Sequence, residues 1–229
     1  MLKAISQSTQ LLKIAVFLSS TLLSHVALSE DTPSESEDKK SLKPNTMVVL
    51  ETNRGDITLE LFDNKTPKTV ANFINYVKSG FYSNTVFHRV IPGFVIQGGG
   101  FTKELAKKKN QAAIRNEASA DLKNDRGTIA MARLSAPHTA TSQFFINLND
   151  NRSLNYQEYN PGYAVFGRVS DGMNIVDIIS KSKTSNIGMQ KNVPLDAIII
   201  KHAYVISNNQ VTTNNTADQQ SEEQPVQSQ

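Results

Sequence analysis

One arginine and one glutamine stand in an otherwise almost unbroken apolar and glycine run, Phe87-His88-Arg89-Val90-Ile91-Pro92-Gly93-Phe94-Val95-Ile96-Gln97-Gly98-Gly99-Gly100. A guanidinium in apolar surroundings is costly unless it is paired, so Arg89 is either tied into a core ion pair or set at the lip of a pocket. A second run, Ser142-Gln143-Phe144-Phe145-Ile146-Asn147, has strand character. A period of two would send Gln143 and Phe145 to one face and Phe144 and Ile146 to the other. Taken together, Arg89, Phe94, Gln97, Gln143 and Phe145 would make an apolar cup rimmed by directed hydrogen-bonding groups. A well-packed barrel with polar edges is the plainer alternative, and composition does not separate the two.

Other chemistries find no footing. His88, His138 and His202 lack the paired spacing of a metal site, and the chain has no cysteine to supply a thiol nucleophile, a disulfide or a thiolate ligand. No nucleophile elbow of the Gly-x-Ser-x-Gly kind is present. Gly98-Gly99-Gly100 is not followed by the Lys-Ser/Thr and helix of a phosphate loop. An enzyme built on this inventory would need neither a covalent intermediate, nor a metal, nor a cofactor.

The elements that must hold these residues read as short strands and two helices. Met47 to Thr52 and Ile57 to Leu61 flank the turn residues Asn53-Arg54-Gly55-Asp56, which predicts a hairpin with one wet face on its second strand. Thr66 is a candidate cap, Pro67 fits a first helical turn, and Val70, Phe73, Ile74 and Val77 recur on one face until Gly80. Thr85 to Ile91 and Phe94 to Gln97, joined at Pro92-Gly93, predict two paired strands that bring Arg89 beside Gln97. Strands are further expected at 128–132, 143–148, 163–169 and 196–206, with a short helix from Met173 to Ser180 capped by Asp171 or Gly172. Many short strands with two separated helices favour a closed barrel over β-α repeats, while an open sandwich would give a similar pattern.

The ends of the chain read differently. Residues 1–29 carry Lys3 and Lys13, an apolar stretch from Ile14 to Leu23 and small residues at Ala27-Leu28-Ser29, the layout of a cleavable signal peptide. The stretch is short of the roughly 20 residues a membrane span needs, so the expectation is cleavage after Ser29 with no stable membrane insertion afterwards; an uncleaved anchor is the minority reading. The formal charge of +3 falls to +1 without those two lysines, so the basic balance gives no nucleic-acid signal. Lys107-Lys108-Lys109 reads as a solvated loop. Residues 30–45 are a polar linker, residues 46–207 one domain, and residues 208–229 a polar tail expected to be disordered. An exported chain without disulfides fits a periplasm or a comparable secreted setting.

The run from Phe87 to Gly99, followed by Gly127-Thr128-Ile129-Ala130-Met131-Ala132, Ser142-Gln143-Phe144-Phe145-Ile146 and Tyr163-Ala164-Val165-Phe166-Gly167-Arg168-Val169, resembles the cyclophilin family of peptidyl-prolyl cis-trans isomerases over Met47 to Tyr204. The resemblance implies a mostly β fold, an eight-stranded antiparallel barrel closed on itself and capped by two helices, with the substrate groove outside. It implies Arg89 as the catalytic arginine with Gln97 orienting it. Phe94, Val95, Phe145 and Leu154 would line the proline pocket, Ala132 would touch the residue before proline, and Gln143 the flanking backbone. Tyr163 stands where eukaryotic members usually carry histidine. Val95 replaces a common methionine and should make its wall shallower, while Arg133 replaces a common asparagine and should put a positive side chain on the rim. The tryptophan of cyclosporin-sensitive members falls on Ser153, and the chain has no tryptophan, so weak cyclosporin binding is expected. The implied partners are proline-containing unfolded or exported polypeptides, met by a monomer. A module that holds such segments without turning them over, as a chaperone, shares the same groove and is the competing reading.

Overall fold

The computed structural model describes residues 44–206; the expected leader, most of the linker and the polar tail lie outside the described residues. Strands β1 (Met47–Thr52) and β2 (Gly55–Leu61) form the expected hairpin. Its turn is closed by Thr52, whose hydroxyl donates to the Gly55 carbonyl at 2.6 Å and accepts the Arg54 N–H at 2.9 Å. Ile57, Leu59 and Leu61 are buried along β2 while Asp56 is exposed, as alternation requires of a half-wet strand.

Helix α1 (Pro67–Lys78) starts with proline in its first turn and buries Val70, Phe73, Tyr76 and Val77. Thr66 does not cap it. Its backbone sits at φ −135° and ψ 61°, and its hydroxyl is buried without a partner. The exposed donors of the first turn go instead to a carboxylate far along the chain: Glu117 accepts the Lys68 N–H at 3.2 Å and the Thr69 N–H and hydroxyl at 2.7 Å each.

The expected strand from Thr85 to Ile91 is split into β3 (Thr85–Val86) and β4 (Arg89–Ile91), followed by β5 (Val95–Gly98). After a long strandless excursion come β6 (Thr128–Met131), β7 (Phe144–Asn147), a single 3-10 turn (Arg152–Leu154) and β8 (Val165–Asp171). Helix α2 (Met173–Ser180) is preceded by Gly172 at φ 84°, so the glycine rather than Asp171 takes the cap position. A separate hairpin, β9 (Thr184–Ile187) and β10 (Gln190–Pro194), precedes the last strand, β11 (Ile199–Ile206).

All but the β9–β10 hairpin join one nine-stranded antiparallel sheet in the order β3-β11-β1-β2-β8-β6-β7-β5-β4. The two edge strands, β3 and β4, follow one another with only Phe87 and His88 between them. Counted as one interrupted strand, they pair with β11 at one end and with β5 at the other, so the sheet curls round on itself as a ring of eight. The interior is filled by Leu50, Leu59, Phe73, Tyr82, Phe87, Ile96, Ile129 and Phe166, with Phe144 set edge-on to Phe73 and Tyr82 at ring separations of 5.6 and 5.5 Å. Arg126 ties α2 to the foot of β6 through both oxygens of Asp177, each at 2.9 Å.

Candidate active site

A second, smaller apolar cluster lies on the other face of the sheet. Val95, Leu122, Ala130, Phe145 and Val165 form its buried part, and Phe62, Phe94, Ala132, Leu154 and Tyr163 pack partly exposed against it. Period-two geometry explains the division of β7, because Phe144 and Ile146 belong to the interior while Phe145 belongs to this outer cluster. The sheet register places Arg89 opposite Gln97 and Gln97 opposite Phe145.

Here a cavity of about 300 Å³ opens, lined by Arg89, Phe94, Val95, Gln97, Ala132, Arg133, Phe145, Leu154 and Tyr163. Of the residues singled out in the sequence, only Gln143 is missing from that lining. It lies in the adjoining groove of about 250 Å³, which shares Gln97, Ala132 and Arg133 with the first cavity and adds Lys107, Asn110, Leu134 and Thr139. Phe145 forms the floor, buried and edge-on to Tyr163 at 5.6 Å. Leu154 is brought to the wall by the 3-10 turn, and the Tyr163 N–H donates to its carbonyl at 2.9 Å.

The polar side of the cavity is a directed series. An Arg89 guanidinium N–H (Nη1) donates to Gln97 Oε1 at 3.3 Å, and Gln97 Nε2 donates to Gln143 Oε1 at 3.0 Å. Arg89 therefore has no carboxylate in this series; it is anchored by a neutral amide and keeps its full charge and further N–H groups for the cavity. Gly100 makes room for this, since a Cβ there would lie 2.5 Å from Gln143 Cγ.

Arg133 is less free than its place on the rim suggested. Its Nε donates to the Gly162 carbonyl at 3.0 Å, its Nη1 to the carbonyls of Leu134 and Ser135 at 2.9 and 3.1 Å, and its guanidinium carbon lies 4.5 Å over the Tyr163 ring. It fastens two rim loops to each other and to a pocket wall. Lys108 also differs from the solvated reading: it is half-buried, donates to the carbonyl of Phe81 and lies over that ring, which draws its ammonium pKa down by desolvation. Lys107 and Lys109 are exposed, as expected.

Sequence reasoning passed over Asn124, Asn147 and Asn151, which lie buried behind the pocket wall. Asn147 alone carried a signal, as a polar residue closing an apolar strand. His88, next to Arg89, does not reach the cavity; it is buried against Phe101, with its Nδ1 unpartnered. No group of three or more acidic, histidine or cysteine side chains able to hold a metal occurs among the described residues.

The model of the family described as cyclophilin type peptidyl-prolyl cis-trans isomerase/CLD matches residues 47–205. A peptidyl-prolyl cis-trans isomerase of Acinetobacter baylyi is 54% identical over 156 residues, 68% of this chain and 83% of the relative. Peptidyl-prolyl cis-trans isomerase B of Escherichia coli is 51% identical over 162 residues, 69% of this chain and 99% of the relative. Among solved structures, a cyclophilin type peptidyl-prolyl cis-trans isomerase of Cryptosporidium parvum, crystallised in the presence of the dipeptide Ala-Pro, superposes with a TM-score of 0.62 at 34% identity. That match covers 71% of this chain and 99% of that one. With a barrel whose outer face carries a cavity edged by Arg89 and Gln97, and with the family model and these relatives matched over that barrel, the chain belongs to the cyclophilin-type peptidyl-prolyl cis-trans isomerases.

Proposed function

We propose that Arg89 is the catalytic group of this isomerase and that the cavity over Phe145 holds the substrate's proline ring. Isomerisation about X-Pro makes and breaks no bond. Its barrier is roughly 18 to 20 kcal/mol, because twisting the amide localises the nitrogen lone pair, whereas the two planar ends differ by only about 0.5 to 1 kcal/mol. A catalyst therefore has to favour the twisted amide over both planar forms. A donor held beside the prolyl nitrogen does so, since the nitrogen accepts a hydrogen bond only when its lone pair is localised. Arg89 suits this role because Gln97 holds one N–H of its planar fork while the others stay available.

Phe94, Val95, Phe145, Leu154 and Tyr163 would fix the ring, Ala132 would touch the preceding residue, and Gln143 would meet the flanking backbone. The observation that carries this reading is the Arg89-Gln97-Gln143 series set beside a cavity of about 300 Å³ that Phe145 floors and Phe94, Val95 and Leu154 help to wall. The Ala-Pro dipeptide present with the Cryptosporidium relative is consistent with a proline-bearing ligand. In a protease-coupled assay on a proline tetrapeptide, Arg89→Ala should lower kcat/KM ten-fold or more with an unchanged circular-dichroism spectrum. Turnover near that of the wild type would remove Arg89 from the role.

The clients we infer are exported polypeptides met in a periplasm by a monomer freed of residues 1–29. The charged and apolar layout of those residues supports this. Weak cyclosporin binding is inferred from the exposed Ser153, which presents no aromatic surface beside Leu154.

A further inference from the structure

Behind the pocket wall three asparagines run in series. Asn124 and Asn147 are 0% exposed and Asn151 is 8% exposed. Asn151 Nδ2 donates to the Phe94 carbonyl at 2.9 Å and to Asn147 Oδ1 at 2.7 Å. Asn147 Nδ2 donates to Thr128 Oγ1 at 2.9 Å and to Asn124 Oδ1 at 3.2 Å. Asn124 Nδ2 donates to the carbonyls of Leu154 and Tyr163 at 3.1 and 3.3 Å, and its backbone N–H donates to Asn155 Oδ1 at 2.7 Å. The series starts on the backbone of Phe94 and ends on the backbones of Leu154 and Tyr163. Those three walls of the cavity come from three separate segments of the chain.

We infer that Asn124, Asn147 and Asn151 are positioning residues that set the width of the proline pocket by holding the backbones of Phe94, Leu154 and Tyr163 at fixed separation. The inference rests on the reading that this cavity receives the proline ring.

Three facts carry it. Every member of the series is hydrogen-bonded on both its amide nitrogen and its oxygen or backbone side, so none is left as a buried orphan. A fully satisfied buried network fixes a single arrangement, whereas apolar packing of the same volume allows sliding. The sheet does not join the three walls, because Phe94 lies on a loop, Leu154 in the 3-10 turn and Tyr163 before β8; the Tyr163 N–H bond to the Leu154 carbonyl at 2.9 Å joins two of them, and the asparagine series links that pair to Phe94. A site that selects a five-membered ring needs its walls held to about half an ångström, and a displacement of about 1 Å in a positioning contact can cost a factor of a hundred in rate.

The readout that separates positioning from mere stability is ring-size discrimination. Protease-coupled assays would compare kcat/KM on an Ala-Pro peptide and on the same peptide with pipecolic acid, whose ring has one more methylene. Asn151→Ala, and Asn151→Asp, which keeps the volume but cannot donate, should each lower the proline-over-pipecolyl preference at least three-fold. Asn124→Ala should do the same if it folds; Asn151, at the edge of the series, keeps the test decisive if it does not. Phe145→Ala serves as the control for the pocket itself. If Phe145→Ala shifts the preference and both Asn151 variants leave it within 1.5-fold of the wild type, or lower both rates by one common factor, the positioning role is overturned. If Phe145→Ala leaves the preference unmoved, the assignment of the cavity to the proline ring fails, and this inference fails with it.

Discussion

At the scale of single residues, the unusual choice is to hold the arginine at the cavity's edge by a neutral amide. A carboxylate partner would bind the guanidinium more tightly, but it would also spend its charge. Gln97 positions Arg89 without neutralising it, and Gln143 in turn positions Gln97. The arrangement depends on an absent atom: the Cβ of an alanine at position 100 would meet Gln143 at Cγ, Cδ and Nε2, all within 2.8 Å. Gly100→Ala should therefore push the Gln143 side chain away and free Gln97, lowering kcat/KM several-fold while the protein stays folded. The check is a double-mutant cycle. Gln143→Ala should cost almost nothing further in the Gly100→Ala background, because both changes break the same contact; additive losses would show that Gly100 acts elsewhere. Arg89, Gln97 and Phe145 were legible in the sequence because each is out of place in its run, a charge or an amide among apolar residues or a ring on the wrong face of a strand. Asn124 and Asn151 were not, since asparagine between strands reads as turn chemistry and its burial is decided by segments far apart in the chain, while Asn147 showed only as a polar residue closing an apolar strand.

At the scale of elements, strands with clean alternation and the α1 stripe could be read directly, and the pairing of Arg89 with Gln97 followed from a short turn. What escaped was whatever depends on partners distant in sequence. The β9–β10 hairpin is polar and exposed along most of its length, so it has no period to detect. The split of one strand into β3 and β4 at Phe87-His88 is imposed by closure of the sheet and not by the local residues. The excursion between β5 and β6 has no strand of its own, yet it supplies Lys107 and Asn110 to the groove, Asn124 to the wall and Glu117 to the start of α1. Loops of this length without secondary structure are uncommon unless they serve a site. Glu117 is one of several residues that bind this loop to the scaffold, with Lys108 and Gln111 among the others. Glu117→Ala removes three accepted hydrogen bonds from the first turn of α1 and should cost about 1 to 2 kcal/mol in urea unfolding, with Glu117→Gln losing less because one oxygen still accepts. Equal stability of all three proteins would mean that water replaces the carboxylate without loss.

At the scale of the whole molecule, closing the barrel buries a histidine that takes up a proton less readily than it would in water. His88 is 3% exposed, and burial pulls its imidazole down to about 4, with the neighbouring Arg89 charge acting in the same direction and a backbone hydrogen bond to Val86 opposing. The unfolded chain binds a proton at that imidazole near the ordinary value of 6.5, before the folded chain can. Stability from this group is therefore complete above about pH 6.5, is lost as the pH falls, and is exhausted near pH 4, where both states are protonated. The span corresponds to roughly 3 kcal/mol at 1.36 kcal/mol per pH unit, a sizeable share of a marginal total of about 5 to 15 kcal/mol. The position closes the barrel, so the loss would fall on the junction of β3 and β4 that also carries Arg89. Urea unfolding between pH 7.5 and 4 should show the wild type losing roughly that much more stability than His88→Gln, whose amide does not titrate. Exposed carboxylates contribute equally to both proteins and cancel in the difference. Parallel pH profiles for the two would mean that the imidazole is protonated in the folded state as readily as in the unfolded one.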